Sequence, residues 1–338
     1  MTSELAAAVD AQLAGTLSDE VRRELWTAST VDRLLWKGFG ASGWFAALLP
    51  PGLDGLGLRA ADVAGLFEVV GRRLVPGPFL EHVLLVPLLA EFTGALPAPS
   101  ERLLSWWDPE ATSAAPVRLD AGGIRGVMDG VRFAADADGF LVVTAGPSIV
   151  LVPRTDRVVA SVAPGVTDGM TKPGRLELHE APAELLLSGR RADDFLARAR
   201  DWSRVATALE LSGTSAWLAG QAAEFVKVRE QFGRPIGQFQ ALAHIVADLA
   251  VHDIALRNLC AAVVADGPTA VTAMGAKAYA AQVAVAAAEN TLQAHGGIGF
   301  TMEHPLHMYF KHALHLWAWY GDPRRLAIRI GHETMHAS

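Results

Sequence analysis

Two short stretches carry residue types that could do chemistry on an anion. In VKVREQFGRPIGQFQ, residues 226–240, an arginine, an aromatic and a glycine fall together, with Gln240 a few residues on. A guanidinium offers a planar fork of donors that suits a phosphate or pyrophosphate. Gly233 and Pro235 turn the chain, so Gln240 returns near Arg229 on the next helix. The same residues also suit a plain helix end, in which Arg229 complements the helix dipole and Phe232 is a core ring. In LQAHGGIGFTMEHPL, residues 292–306, Gly296 and Gly297 end an alanine-rich helix and leave backbone N–H groups exposed. Such a bend holds a phosphate, or simply stops a helix. A helix precedes it rather than a strand, and no Gly-Lys-Ser/Thr follows, so it is neither a dinucleotide-binding turn nor a P-loop.

Other chemistries lack their parts. His304, His307, His312 and His315 crowd one segment, but Pro305 interrupts the run and Trp317 and Trp319 read as packing, so no metal is expected. No serine sits in a G-x-S-x-G elbow. Cys260, the one cysteine, lies in the apolar run LRNLCAAVV and reads as a buried, inert thiol. The net charge is −7 without a basic tract, which argues against nucleic acid or an anionic membrane as partner. MTSELAAAVD is no secretory signal and no run reaches 18 apolar residues, so a cytoplasmic protein is expected.

The elements that would position these groups fall into three expected regions: helical at 1–95, β at 96–190, helical at 191–338. DEVRRELWTASTVDRLLWKGFG reads as one helix, AADVAGLFEVVGRRL as a second, and EHVLLVPLLAEFTG as a third in which Pro87 makes a kink or ends a turn. Strands are expected at 139–145, 148–153, 157–162 and 174–180, with Gly130, Asp136, Gly146, Pro147 and Gly165 as turn residues. From Asp201 to Val228 one long helix is expected, with Gly213, Ala219 and Gly220 allowing close packing, then helices at 238–264 and 270–293. The fold class is α+β, closing in a four-helix bundle.

Taken together, VREQFGRPIGQFQALAHIVADLA and LQAHGGIGFTMEHPLHMYFKHA resemble the two C-terminal signatures of the acyl-CoA dehydrogenase family. WKGFGASGWFAALLPPGLDGLGL and GVRFAADADGFLVVTA resemble its N-terminal and central segments. The resemblance implies a flavoprotein fold of helical, β and helical domains. It implies oxidation of the α,β bond of an acyl-CoA thioester, with FAD taking a hydride after a glutamate removes the α-proton. In that family the R-x-x-F-G arginine and phenylalanine, the following glutamine and the Gln-x-x-Gly-Gly turn reach the FAD of the neighbouring subunit. The matching residues are Arg229, Phe232, Gln240, Gln293, Gly296 and Gly297, all present. Arg204, of the D-x-x-R pattern from Asp201, matches an arginine near the substrate thioester.

Other family residues are absent. The family's Thr-Glu-Pro…Gly-Ser-Asp segment has no match in LPAPSERLLSWWDPEATSAAP. In WAWYGDPRRL, Tyr320 stands where the family's Glu-Gly-Thr has its basic glutamate, and Asp322 where it has threonine; Ser203 occupies the alternative base position. What serves a neighbour's cofactor is kept and what serves the chain's own is lost. The resemblance therefore implies a non-catalytic subunit, as in actinobacterial steroid side-chain dehydrogenases, with no catalytic residue of its own. Its FAD would be shared with a homologous full-length subunit, as a heterodimer or α2β2 assembly. Alternatives are a self-sufficient enzyme using Asp322 or Glu303 as base, a scaffold on the same fold without flavin, or a nitroalkane-oxidising relative.

Overall fold

The computed structural model describes residues 4–28, 30–99, 101–112, 114–163 and 168–336. Contacts divide the chain into two compact units built from non-contiguous segments. One comprises Met1–Arg23, Ala64–Val75 and Arg204–Ser338; the other comprises Glu24–Val63 and Pro76–Ser203.

The second unit holds two four-stranded sheets. Its strands are β1 (Leu104–Trp107), β2 (Arg118–Asp120), β3 (Gly123–Arg132), β4 (Gly139–Thr144), β5 (Ser148–Pro153), β6 (Val158–Val162), β7 (Pro173–Ala181) and β8 (Glu184–Ser188). One sheet has the order β1-β4-β5-β8, parallel at β1–β4; the other runs β2-β3-β7-β6. Every residue of β4 is buried, which explains why GFLVVT is a continuous apolar run rather than an alternating one. Ser105 Oγ donates to Arg132 O at 2.6 Å, tying β1 to β3 across the two sheets. The strands expected from the valine-rich runs are present, and four more join them. Gly130 marks a bulge inside β3 (φ 72°) rather than a turn, because register against β7 shifts between Asp129 and Val131. Gly165 lies outside the described residues.

Helix breaks also differ from the pattern. After α1 (Glu4–Thr16), the stretch expected as one helix is two, α2 (Asp19–Thr27) and α3 (Arg33–Ala41). Asp32 is the reason: its side chain accepts from Leu34 N and Leu35 N and starts a new helix as an N-cap. α4 spans Ala60–Arg73, as AADVAGLFEVVGRRL suggests. Before α5 (Val86–Thr93) a π-helical turn covers Leu80–Leu85, so the chain passes Pro87 at the start of α5. A single turn, α6, spans Pro109–Thr112.

In the first unit the long elements are the C-terminal part of α7 (Gly189–Val228), α8 (Gln240–Asp266), α9 (Ala270–His295), α10 (Leu306–Ala318) and α11 (Pro323–His336). Glycine lets α4 and α7 touch backbone to backbone. A Cβ on Gly213 would sit 1.9 Å from Glu68 O, and one on Gly71 would sit 1.8 Å from Glu210 O. Gly220, by contrast, has nothing within 4 Å and plays no such part. The face of α9 packed inward is mostly alanine, as its composition suggests, and His312 Nε2 of α10 lies 3.1 Å from a Glu210 carboxylate oxygen, both side chains being buried. Cys260 is fully buried on α8, and burial pushes its thiol up to about 12. Among the described residues no helix is long and apolar enough to cross a membrane.

Candidate functional site

The two motifs meet at one end of the first unit. The last turn of α7 closes with Arg229 N donating to Phe225 O at 3.0 Å, and Ile236 N donates back to Arg229 O at 2.8 Å. Between them β9 (Glu230–Gln231) and β10 (Arg234–Pro235) form a two-rung hairpin. Its tip is Phe232 (φ 53°) and Gly233 (φ 79°). Phe232 is 91% exposed, so it is not the core ring of a plain helix end. It meets Phe239 edge-on at 6.1 Å, and the Arg234 guanidinium lies 4.2 Å over the Phe239 ring. Gln240, exposed, begins α8.

At the end of α9, Gly296 N donates to Gln293 O and Leu292 O, and Gly296 adopts φ 63°. Gln293, Gly296 and Gly297 are exposed, and no atom lies within 4 Å of where a Cβ on either glycine would be. Here the backbone is open to close approach. His295 joins the two motifs: its ring stacks on Phe225 at 4.1 Å, one turn before Arg229. Burial lowers the pKa of His295, while its Nδ1, 2.8 Å from Thr291 O, donates there. The fold thus brings together α7's end and α9's end, and all six motif residues reach solvent in this unit.

The residues that the resemblance matches to the family's base position are closed off instead. Tyr320 is 1% exposed and holds φ 57°, and Gly321 follows with φ 104°. The Asp322 side chain accepts from Arg324 N and Arg325 N, both at 3.0 Å, and so caps α11. Ser203 and Arg204 are buried, and Glu303 is exposed on the loop before α10. The residue that sequence reasoning missed is Lys277. It is wholly buried, and its Nζ donates to Trp317 O at 2.9 Å and to Gly321 O at 3.0 Å. Burial lowers its pKa to about 7, against the attraction of Asp322; Arg204 lowers it further. The signal was a single lysine on an inward position of an otherwise alanine-rich helix.

The clustered histidines are dispersed over separate contacts. His307 Nδ1 lies 2.8 Å from His304 O, His312 pairs with Glu210, and His315 stacks on Trp319 at 5.9 Å. Among the described residues no group of three or more His, Cys, Asp or Glu side chains is placed to hold a metal ion.

Residues 195–331 match the acyl-CoA dehydrogenase C-terminal domain. Acyl-CoA dehydrogenase IpdE2 of Mycobacterium tuberculosis is 34% identical over 83% of this chain and 79% of its own length. Acyl-CoA dehydrogenase FadE34 of the same organism is 29% identical over 88% of this chain, which spans only 42% of that protein's length. Among solved structures, a chain of the ChsE4-ChsE5 complex from Mycobacterium tuberculosis superposes with a TM-score of 0.87 at 26% identity, covering 99% of this chain and 98% of its own. The Tcur3481-Tcur3483 steroid ACAD G363A variant gives 0.84 at 25% identity, covering 99% and 98%. The chain belongs to the acyl-CoA dehydrogenase family. That is a family of oxidoreductases, and membership implies FAD as the cofactor.

Proposed function

We propose that this chain is the non-catalytic subunit of a heteromeric acyl-CoA dehydrogenase, completing an FAD site whose catalytic glutamate belongs to a homologous partner. The observation that carries this reading is a contrast in exposure within one unit. Arg229, Phe232, Gln240, Gln293, Gly296 and Gly297 are all exposed, whereas Tyr320 is 1% exposed.

The exposed set fits a flavin. Arg229 offers a charged fork for the pyrophosphate, and Gln240 and Gln293 offer amides. The uncrowded backbone of Gly296 and Gly297 admits close approach. Phe232 presents an apolar ring that costs free energy to leave in water and is covered once a cofactor and partner arrive. FAD, when bound, supplies the hydride acceptor for α,β-dehydrogenation of an acyl-CoA.

This chain's own residues bind and orient, and none removes the α-proton. A tyrosine of pKa about 10 is a poor base at neutral pH, and Tyr320 is sealed from solvent. Asp322 is engaged as a helix cap, which argues against the self-sufficient reading. The ChsE4-ChsE5 complex among the structural relatives supports a partner subunit, and the steroid ACAD relative supports a steroid-derived acyl-CoA as substrate.

Co-expression with candidate homologous subunits tests this, followed by mass measurement of the intact assembly and flavin quantitation. One FAD per heterodimer is expected, with the isolated chain binding flavin weakly. A homo-oligomer of this chain with stoichiometric FAD would overturn it.

A further inference from the structure

Helix α8 is apolar on most sides, yet only five of its 27 residues are buried: Leu249, Asp253, Leu256, Cys260 and Val263. Their spacing of four, three, four and three marks a single inward seam. A second seam repeats that spacing. His244, Ala247, Val251, Ile254, Asn258 and Ala261 follow one another at three, four, three, four and three, and all six are exposed. Val251 and Cys260 are about two and a half turns apart, so the second seam lies on the opposite face of the helix.

The open seam holds no Asp, Glu, Lys or Arg, and at its centre Val251 is 63% exposed and Ile254 53%. A helix apolar all round is ordinarily buried on more than one face. Two β-branched side chains left in water here cost free energy that a covering surface would recover. Flanking charges are few. Asp248 lies on one margin, and on the other Arg257 is held by Asp253 of its own helix at 2.7 Å.

Residue sizes along this seam are self-complementary. Laid antiparallel about the midpoint between His252 and Asp253, Val251 of one helix meets Ile254 of the other, Ala247 meets Asn258, and His244 meets Ala261. In the outer layers an alanine always faces the longer residue, which keeps two helices evenly spaced over about 26 Å. A parallel pairing would instead set His244 on His244 and alanine on alanine. Asn258 of one copy and His244 of the other fall in adjacent layers, about 4.5 Å apart along the axis. Amide and imidazole can hydrogen-bond there and so fix the register. At the margins Asp248 falls beside Ala255 of the second copy and Arg257 beside Ala250, so no like charges meet.

We propose that α8 joins two copies of this chain through this seam, antiparallel and about a two-fold axis. Each residue that meets a partner position is met in return by the same residue of the second copy, as a two-fold contact requires. The six residues of the proposed FAD surface lie outside 244–261, so the pairing does not rest on the flavin reading. In an assembly of two heterodimers, it is the contact between the two copies of this chain.

Sedimentation velocity of the purified full chain, from micromolar to tens of micromolar, tests this. A reversible dimer is expected; its flavin content is read separately, because that bears on the proposed function and not on this pairing. Val251→Glu and Ile254→Glu each raise the dimer dissociation constant about tenfold or more, since the two-fold axis puts each substitution in the contact twice. Their circular dichroism is unchanged, both side chains being exposed. The double variant His244→Cys with Ala261→Cys oxidises to a covalent dimer. Neither single substitution does, because like positions of the two copies stand about 26 Å apart. A chain that stays monomeric, a dimer that Val251→Glu leaves intact, or cross-linking by His244→Cys alone would each overturn the proposal. So would a monomer in which Val251→Glu blocks only assembly with the homologous subunit, since the face then belongs to that partner.

Discussion

Lys277 reaches from the N-terminal third of α9 to the main-chain oxygen of Gly321, a 3.0 Å hydrogen bond spanning 44 residues of sequence. With its second bond to Trp317 O it ties the end of α10 to the turn that carries Tyr320. Two carbonyls use both N–H donors of a neutral amine, which agrees with a pKa lowered to about 7.

A pH signature follows. Lys277 titrates near 7 when folded and near its ordinary 10.5 when unfolded, so between these values the unfolded chain binds more protons. Stability from this group is therefore fully present above pH 10.5 and is lost as pH falls through 7, on the order of a few kcal/mol. Lys277→Met removes that slope, and its stability deficit against the parent narrows as pH falls from 10 to 6. Urea melts across that range check it; parallel profiles would rule it out.

Close packing of α4 on α7 gives a second prediction. Gly213→Ala places a methyl where Glu68 O stands, and is expected to cost about 1–3 kcal/mol or more from overpacking. Gly220→Ala on the same helix meets nothing within 4 Å and is expected to stabilise by roughly 0.5–1 kcal/mol through helix propensity. Thermal melts of the pair should move in opposite directions.

Arg229→Ala should weaken FAD retention in the assembled complex roughly 10–150-fold, since a hydrogen bond to a charged group is worth about 1.5–3 kcal/mol. The fold should be unaffected because the residue is exposed. Flavin release measured by fluorescence reads the effect, and unchanged affinity would exclude the pyrophosphate contact.

Tyr320→Phe and Asp322→Asn should leave turnover of the complex nearly unchanged, asparagine being as good a helix cap as aspartate. The partner's C-terminal glutamate changed to glutamine should abolish it. A fall of more than about 100-fold in the Asp322→Asn complex, with FAD and assembly retained, would instead assign the base to this chain.

Legibility in the sequence tracked how strongly each element depends on side-chain pattern. The run GFLVVT could be read as a strand because burial on both faces makes it wholly apolar. The longest strand, β3, was hidden by its glycines: Gly123, Gly126 and Gly130 have φ of 116°, 154° and 72°, and they serve irregular pairing with β7. The break before α3 was hidden because helix-favouring runs flank a short link, α2 ending at Thr27 and α3 starting after the Asp32 cap. The resemblance of two motifs to the family's signatures named Arg229, Phe232, Gln240, Gln293, Gly296 and Gly297, where spacing alone left a plain helix end and a helix stop as alternatives. Lys277 showed only as a lone lysine in an alanine-rich helix, because its partners are main-chain oxygens that leave no mark on residue type.

The sealed thiol of Cys260 has a practical corollary. With the chain's one cysteine buried and its ionisation suppressed, thiol-directed reagents find a silent background at neutral pH. A single exposed cysteine, introduced by Phe232→Cys at the hairpin tip, then reports alone. A nitroxide or fluorophore there would register the arrival of a second subunit without removing any native thiol.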